Sequence, residues 1–428
     1  MRKVSLSLVS AMVLAAGMSS VASAASLENI ISNPKVNLEI RPRYEYADVK
    51  DNGKDAAKAF TVRTALELDA NLFEVEGLNT QLQMINVAHF GLIDKYAPVD
   101  GKYDIIMDPP QTRVTQANIS YTANGLTGIL GRKMVVLDNA RFIGNVGWRQ
   151  MPQTYDLAAV IYNGVENLSL LGAYVDRVHT VTKDGKIDTG SVLLHGTYKA
   201  RPEITITMYD YMIQNFADHI GIRLTGKLNL GEAKLNYTAE LAKQNDPTMT
   251  DDDEPNLAAA FGGPHTNPDD IEQDANYYNL NLGVNYSGFT AAVGYEVLGK
   301  ADGGDNEFYT PLATLHAHNG WADVFLKGTG TGKGLQDISV KLGYNGGEYG
   351  KIVGIYHKFD SDAGSYDFGK EFDVAYIYKI YNNLNLLLKG AFYKGGDEVA
   401  FSANPILKNA YDVTKYWIQL DYKFSASL

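Results

Sequence analysis

Cysteine is absent from all 428 residues of this chain. A disulfide scaffold, an iron–sulfur cluster and a cysteine nucleophile are therefore excluded. Acidic residues outnumber basic ones by 50 to 38, and the formal net charge of −12 argues against nucleic-acid binding. Apolar runs of about 18 residues, which membrane helices require, are missing too. If the chain lies in a membrane it must form a closed β-barrel, because only helices and barrels satisfy every backbone group there.

The first 24 residues have the three parts of a secretory signal peptide. Met1-Arg2-Lys3 is a charged start, Val4–Ala16 is an apolar run too short to span a bilayer, and Ala22-Ser23-Ala24 is a cleavage site of the A-x-A type. We therefore expect residues 1–24 to direct export through the Sec pathway and to be removed. Residues 25–428 are expected to form one domain.

Alternation between apolar and polar residues begins near the start of the mature chain. From Val36 to Tyr46, one strand face carries Val, Leu, Ile, Pro and Tyr, while the other carries Asn, Glu and Arg. A strand with one apolar and one charged face suits a wall between lipid and water. The same pattern continues to the C-terminal end of the chain. It recurs in residues 60–69, 219–229, 234–241, 278–286, 337–344 and 416–424.

The connections between these predicted strands alternate in length. Short turns such as Asn124-Gly125 and Ser287-Gly288 alternate with long polar loops, as in outer-membrane barrels with short periplasmic turns and long outer loops. There are about 18 strands if residues 308–328 form a loop and about 20 if they form a hairpin, and we expect 18. The prediction is an all-β, transmembrane antiparallel barrel with an aqueous lumen, in the outer membrane of a Gram-negative cell.

Arginine is confined to the first part of the chain, since all eleven arginines lie at or before Arg223. Several fall on the polar faces of strands that we expect to be near neighbours, which would place a basic ladder on the lumen wall. Arginine stays charged and presents a fork to carboxylate or phosphate, and basic groups in a pore favour anions. Alternatively, these arginines pair with nearby carboxylates and only stiffen the wall. The residues predicted to line the pore are Arg41, Arg43, Arg63, Arg113, Arg132, Arg223, Glu39 and Glu67.

Residues 137–156 do not have the alternation of a strand. They combine small or structure-breaking residues with two arginines and two carboxylates. Long non-repetitive loops in compact domains are usually functional, so we expect this loop to fold inward and narrow the pore. The alternative is a packed outer loop that Trp148 stabilises. The residues predicted to form the constriction are Asp138, Arg141, Trp148, Arg149 and Asp156.

The same loop resembles a segment of a known family. Residues 137–156 resemble the LDNxRFxGNxGWRQxxQTxD segment of the outer-membrane alginate-export family, and Phe308–Asp323 is similar to a second region of that family. The resemblance implies a barrel with an arginine-rich pore for an anionic polysaccharide. Overall, the chain also resembles general porins. By the family resemblance, the residues that line or brace the channel are Asp138, Arg141, Arg149 and Asp156.

These patterns predict a porin-type channel for passive passage of hydrophilic, anionic solutes. The alternatives are a dedicated export channel for an anionic polysaccharide such as alginate, and a structural or adhesive surface barrel with a plugged lumen. The sequence has no Ser/His/Asp set and no G-x-S-x-G motif, so we do not expect an enzyme. His316 and His318 lack an evident third ligand, so neither a metal nor a cofactor is expected. Expected partners are outer-membrane lipid and solute, and a homotrimer is possible, although no sequence feature marks its interface.

Overall fold

The computed structural model describes residues 30–251, 274–302 and 306–427. The predicted signal peptide lies outside these residues. The described chain forms one antiparallel sheet of nineteen strands. The strands are β1 (Ile31–Val49), β2 (Ala57–Leu72), β3 (Leu78–Ala88), β4 (Asp94–Lys95), β5 (Gln111–Ala123), β6 (Leu126–Lys133), β7 (Thr154–Tyr162), β8 (Leu168–His179), β9 (Lys186–Arg201), β10 (Ile204–Ile213), β11 (Ala217–Leu230), β12 (Ala233–Asn245), β13 (Ala275–Tyr286), β14 (Phe289–Leu298), β15 (Leu335–Asn345), β16 (Lys351–Asp360), β17 (Asp367–Tyr381), β18 (Leu384–Lys394) and β19 (Val413–Ser427).

The sheet closes into a barrel because β1 pairs with both β2 and β19. Arg41 lies opposite Arg63 on β2, and Tyr46 lies opposite Tyr416 on β19, where their rings stack with centroids 4.8 Å apart. The two-residue strand β4 pairs only with β2, so it adds to the rim and not to the wall. The other eighteen strands each pair with the next around the ring. The prediction of a closed antiparallel barrel of 18 strands is confirmed.

Side chains alternate between the outside of the wall and the lumen, as the sequence pattern predicts. On β13, Leu280 is 59% exposed on the outer face, whereas the neighbouring Asn279 is 6% exposed on the inner face. Exposed Leu, Val, Ile, Tyr and Phe side chains recur in this way around the barrel. They give it an apolar outer belt of the kind that faces lipid.

Connections of two lengths alternate around the barrel. At one end the strands are joined by tight turns, such as Asn124-Gly125 between β5 and β6. Gly125 has a φ of +78°, and a Cβ atom there would lie 2.6 Å from the Cα atom of Gly164 in the neighbouring turn, so glycine is required. The longest connections all lie at the opposite end. Among the described residues they comprise 89–110, 134–153, 306–334 and 395–412.

Helical structure is scarce in the described part of the chain. It comprises α1 (Pro405–Lys408) and two 3₁₀ segments, Leu315–Ala317 and Gly347–Tyr349. Among these described segments, no helix has the length and the apolar composition needed to span a membrane.

The apolar core lies inside the barrel, between the wall and two inward loops. Phe142, from the 134–153 loop, packs against the rings of Tyr209 and Tyr277 on the wall, with centroids 5.0 and 5.4 Å away. It also contacts Phe308 from the second inward loop. Buried backbone polar groups need hydrogen-bond partners, and a long loop inside a barrel has many such groups. The two inward loops supply partners for each other.

Candidate functional site

The 134–153 loop crosses the lumen from one side of the barrel to the other. Near β1 and β2, the backbone N–H of Gln150 donates to Asp108 Oδ1 at 2.7 Å, and the Gln150 side-chain amide donates to Thr61 Oγ1 at 3.0 Å. Near β14, the buried Arg141 forms an ion pair with Glu296, with Nε 2.9 Å from Oε1. The loop is therefore held at both walls. The loop ends at Gln153, because Thr154 is the first residue of β7. The predicted loop range of 137–156 is corrected accordingly.

A second inward segment, residues 306–334, packs against the first. The backbone N–H of Gly144 donates to Leu312 O at 2.8 Å, and that of Thr314 donates to Ala140 O at 2.9 Å. Gln153 joins the two through its side-chain amide, which donates to Gly144 O and Leu312 O. The two segments therefore form one unit inside the half of the barrel nearer the long connections. We call this unit the inner plug.

Arg43 is the arginine that the inner plug encloses most completely. It is 1% exposed, and its Nε donates to Gln419 Oε1 on β19 at 2.7 Å. Nη1 donates to Asp108 Oδ2 at 3.3 Å, and Nη2 donates to Trp148 O at 2.6 Å. The guanidinium also lies 4.3 Å from the Trp148 ring centroid. Arg43 thus faces the lumen, but each of its three guanidinium nitrogens donates to a group of the protein itself.

The arginines next to Arg43 are also paired. Arg41 binds Asp421 through Nε at 2.9 Å and Glu39 through Nη2 at 2.9 Å. Arg63 shares Glu39, with Nη1 3.5 Å from Oε1. The sequence allowed either a basic ladder on the lumen wall or arginines that pair with carboxylates and stiffen the wall. In the structure these arginines face the lumen and are also paired with carboxylates there.

The remaining predicted residues are scattered over the wall. Arg113 faces inward and donates to Thr180 O and Pro152 O at 2.8 and 2.7 Å. Glu67 faces inward and accepts from Asn37, Gln83 and Gln116. Asp138 lies in the inward loop, 3.1 Å from His195 Nε2 on β9.

Arg223 does not belong to the predicted local ladder. It lies on β11, nearly opposite β1 in the ring of strands, and it forms an ion pair with Glu240. Chain order alone does not place it near Arg41, because the barrel returns to β1 only through β19.

Arg132 and Asp156 lie on the outer face of the wall. Arg132 alternates with Leu130, which is 68% exposed, and it binds Asp156 with Nε 2.7 Å from Oδ1. Asp156 also contacts His179 Nε2 at 2.9 Å. We predicted that Arg132 lines the pore and that Asp156 belongs to the constriction loop. The structure corrects both predictions, because the two side chains lie outside the lumen. The inner-face neighbour of Arg132 is Lys133, which donates to Gln81.

Arg149 of the 134–153 loop contacts the wall, the 306–334 segment and the 89–110 connection. Its Nη1 donates to Glu45 Oε1 on β1 at 3.0 Å, and its Nη2 donates to Asp323 Oδ2 at 3.1 Å. Nη1 also lies 3.7 Å from Asp108 Oδ2. Asp323 accepts in addition from Lys415 Nζ at 2.9 Å. This buried network of opposite charges fixes the 134–153 loop, the 306–334 segment and β1 to one another.

All three tryptophans of the chain surround a single lysine. The Nζ atom of Lys389 on β18 lies 4.0, 3.7 and 5.3 Å from the ring centroids of Trp148, Trp321 and Trp417. It also donates to His316 Nε2 at 2.7 Å. A cation enclosed by aromatic faces is held by their quadrupoles, so Lys389 docks both inward segments onto the wall.

Burial sets the charge of the inner plug. It lowers the pKa of His318 to about 4 and lowers the pKa of His316 well below its usual value, so both histidines are neutral near pH 7. Burial alone would raise the pKa of Asp323, but His316, Lys415 and Arg149 hold that pKa well below its usual value. Asp323 is therefore charged, and the cations Lys415 and Arg149 match its charge within the protein.

Unmatched cations lie in the other half of the lumen, below the inner plug. On strands β9 to β17, six lysines alternate with exposed outer-face side chains and have no hydrogen-bond or ion-pair partner for the side chain among the described residues. Lys227 lies opposite Asn236, and Lys234 lies opposite Asn285, so their neighbours across the strands are amides and not carboxylates. We call this set the lysine arc. It consists of Lys199, Lys227, Lys234, Lys341, Lys351 and Lys379.

Our sequence predictions did not include the lysine arc among the pore-lining residues, although the signal was present. The same alternation that places Arg223 on a polar face also places Lys227 there. What alternation does not show is which cations have partners, because that depends on where the long loops fold. Among the described residues, no group of three His, Asp or Glu side chains is arranged to hold a metal ion.

The fold is similar to those of several solved structures. Pseudomonas aeruginosa OccK8 (OprE) is 13% identical with a TM-score of 0.69, covering 93% of this chain and 100% of that chain. P. aeruginosa OpdK, solved with vanillate, is 16% identical with a TM-score of 0.68 and the same coverage. Acinetobacter baumannii OccAB2 is 15% identical with a TM-score of 0.69, covering 93% of this chain and 99% of that chain. At these identities the likeness establishes the fold.

No protein-family profile matches the sequence, and a search of curated proteins finds no match either. The resemblance to the alginate-export family therefore rests on the two sequence segments alone.

Proposed function

We propose that this chain is an outer-membrane channel for passive passage of hydrophilic solutes, with a preference for anions. The observation that carries the proposal is the lysine arc, a set of unpaired cations on the inner wall of a barrel with an apolar outer belt. Cationic side chains that line a pore raise the local concentration of anions and lower that of cations. A related fold gives the proposal context, since OpdK is described as an outer-membrane protein and was solved with vanillate.

The lysine arc carries the anion preference better than the arginines do. Arg41, Arg43 and Arg63 each bind a carboxylate, and Arg43 is also covered by the inner plug. A paired and buried guanidinium contributes little field to the open part of the lumen. The lysines are exposed and unpaired, so their charge acts on a passing solute.

An anionic polysaccharide such as alginate is the second candidate, because the 137–156 segment resembles that of the export family. In this structure, the motif residues Arg141, Arg149, Gln150 and Gln153 hold the inner plug in place. The motif therefore accounts for packing without requiring a polymer. A plug fixed at both walls also favours small solutes over a chain of linked sugars.

Single-channel recording of the refolded protein in a planar bilayer separates the three functions. We expect stepwise current in potassium chloride that an added oligouronate does not block. Block at low oligouronate concentration would instead identify a polysaccharide channel. A bilayer that stays silent, although the inserted protein is folded by circular dichroism, would contradict the proposal and identify a structural barrel with a closed lumen.

A further inference from the structure

A cavity of about 350 Å³ lies between the inner plug and the wall formed by β13 to β16. Its size is within the range of small-molecule sites in proteins. The wall supplies its floor, and the inner plug supplies its roof through Asn139 and residues 317–321. None of the arginines predicted to line the pore borders this cavity.

Strand register places the floor residues in three level rows. The upper row consists of Asn279, Glu296 and Asp337, which are opposite one another across β13, β14 and β15. The middle row consists of Asn281, Gly294, Ser339 and His357, and the lower row consists of Gly283, Ala292, Lys341 and Ile355.

The cavity exists because the middle and lower rows have small residues at the centre. A Cβ atom on Gly294 would lie 2.6 Å from Asn281 Oδ1 and 2.6 Å from Ser339 Oγ. Those two oxygens therefore lie no more than 5.2 Å apart (2.6 + 2.6) on either side of an open strip of backbone. Ala292 continues this strip toward Lys341.

Both carboxylates of the cavity are bonded to cationic or histidine side chains, whereas its one lysine is not. Glu296 binds Arg141, with Oε1 2.9 Å from Nε, and Asp337 accepts from His357 Nδ1 at 2.9 Å. Among the described residues, Lys341 has no such partner. The cavity thus presents little net negative charge despite its two carboxylates.

Several polar groups at the cavity are free to bind a ligand. In the described part of the chain, no side-chain partner is present for Asn281 Oδ1, Ser339 Oγ or Lys341 Nζ, and the buried His318 Nε2 is also unpaired. This set combines an acceptor, a hydroxyl and a donor. Hydroxyl groups satisfy such a mixed set because each one donates and accepts, whereas a carboxylate only accepts. The indole of Trp321 adds a flat apolar surface at the edge.

We infer that this cavity is a binding site for a sugar-sized polyol, held through neighbouring hydroxyl groups by Asn281, Ser339 and Lys341. The inference deepens the proposed function and rests on it, because it names the class of hydrophilic solute that the channel retains. The solute needs hydroxyl groups, because the cavity offers both hydrogen-bond donors and acceptors. A solute with a negative charge is also tolerated, because that charge can lie beside Lys341.

The test is a titration of the refolded barrel in detergent micelles, followed by calorimetry and by tryptophan fluorescence. The probes are glucose, gluconate and pentanoate, which separate hydroxyl groups from negative charge. We expect glucose and gluconate to bind and pentanoate not to bind. Binding of pentanoate as tight as that of gluconate, or absence of glucose binding, would overturn the inference.

Two valine variants provide the matched comparison. Gly294→Val fills the floor and is expected to weaken glucose binding by about tenfold or more, which corresponds to about 1.4 kcal/mol. Gly343→Val adds the same side chain to the inner face of β15 outside the cavity and should leave binding unchanged. If Gly294→Val does not fold, Asn281→Ala combined with Ser339→Ala removes the same contacts without added bulk. Unchanged glucose affinity in the folded variant would contradict the site.

This titration does not depend on current through a membrane. A barrel that binds glucose but shows no anion preference would contradict the proposed function and leave the cavity in place. A barrel that prefers anions but binds no polyol would contradict the cavity alone.

Discussion

Arg149→Ala is expected to lower the free energy of unfolding by about 3–5 kcal/mol, the usual cost of removing one partner from a buried ion pair. The guanidinium of Arg149 bridges Glu45 on β1 to Asp323 of the second inward segment, and Asp108 lies close by. Without it, three carboxylates remain in the lumen with fewer cations. Because the inner plug is then held less firmly to β1, we also expect a larger and noisier single-channel current.

Arg177→Ala is the matched control for this change. Arg177 also forms an ion pair, with Asp188, but the two side chains are 33% and 39% exposed. An exposed pair contributes about 0–1 kcal/mol, so stability and current should stay close to those of the unmodified protein. Denaturant unfolding in micelles and bilayer recording measure both effects. If Arg149→Ala were no more harmful than Arg177→Ala, the buried network would not be what holds the inner plug.

Charge reversal in the lysine arc is expected to have the largest effect on selectivity. Lys227→Glu combined with Lys341→Glu replaces two unpaired cations on the lumen wall by two anions. Because the field of lining charges sets the local ion concentration, we expect the permeability ratio of chloride to potassium to fall on the order of tenfold. The reversal potential in a potassium chloride gradient measures this ratio.

Lys370→Glu combined with Lys394→Glu controls for the change in net charge. These two lysines lie opposite each other on β17 and β18, on the outer face that carries Phe372 and Phe392. Their charges are separated from the lumen by the wall, so the reversal potential should not change. An equal shift in both double variants would show that the lysine arc does not govern selectivity.

The barrel could be predicted from sequence because its cause is local. Alternation with a period of two determines which residues face lipid, and it is visible over a few residues at a time. In the structure, Arg43 and Arg63 are buried on the inner face, and Leu280 is exposed on the outer face. The count of eighteen agrees with the expectation that residues 308–328 form a loop and not a hairpin, since no strand lies between β14 and β15 in the described residues.

Alternation could not predict which charged side chains are paired and which are free, because pairing depends on contacts between distant parts of the chain. Arg43 pairs with Asp108 and Gln419, and Arg149 pairs with Glu45 and Asp323. These contacts exist only once the inner plug is folded. Alternation also does not show where a strand begins, and for that reason Asp156 was predicted in the loop although it lies on β7.

Lys389 illustrates the same limit. Its position on β18 predicts an inward side chain, but its three tryptophan neighbours come from the 134–153 loop, the 306–334 segment and β19. No spacing in the sequence brings these residues together. The cavity above Lys341 likewise needs both the strand register and the inner plug.

The zero-current potential of the unmodified protein in a potassium chloride gradient tests the central claim most directly. A channel lined by the lysine arc passes chloride more readily than potassium, so the potential should take the sign of the chloride equilibrium potential. It should also move toward zero at high salt, because ions screen the exposed lysines. A potential with the sign of potassium would contradict the account, since it would mean that the carboxylates of the lumen and not its lysines set the field.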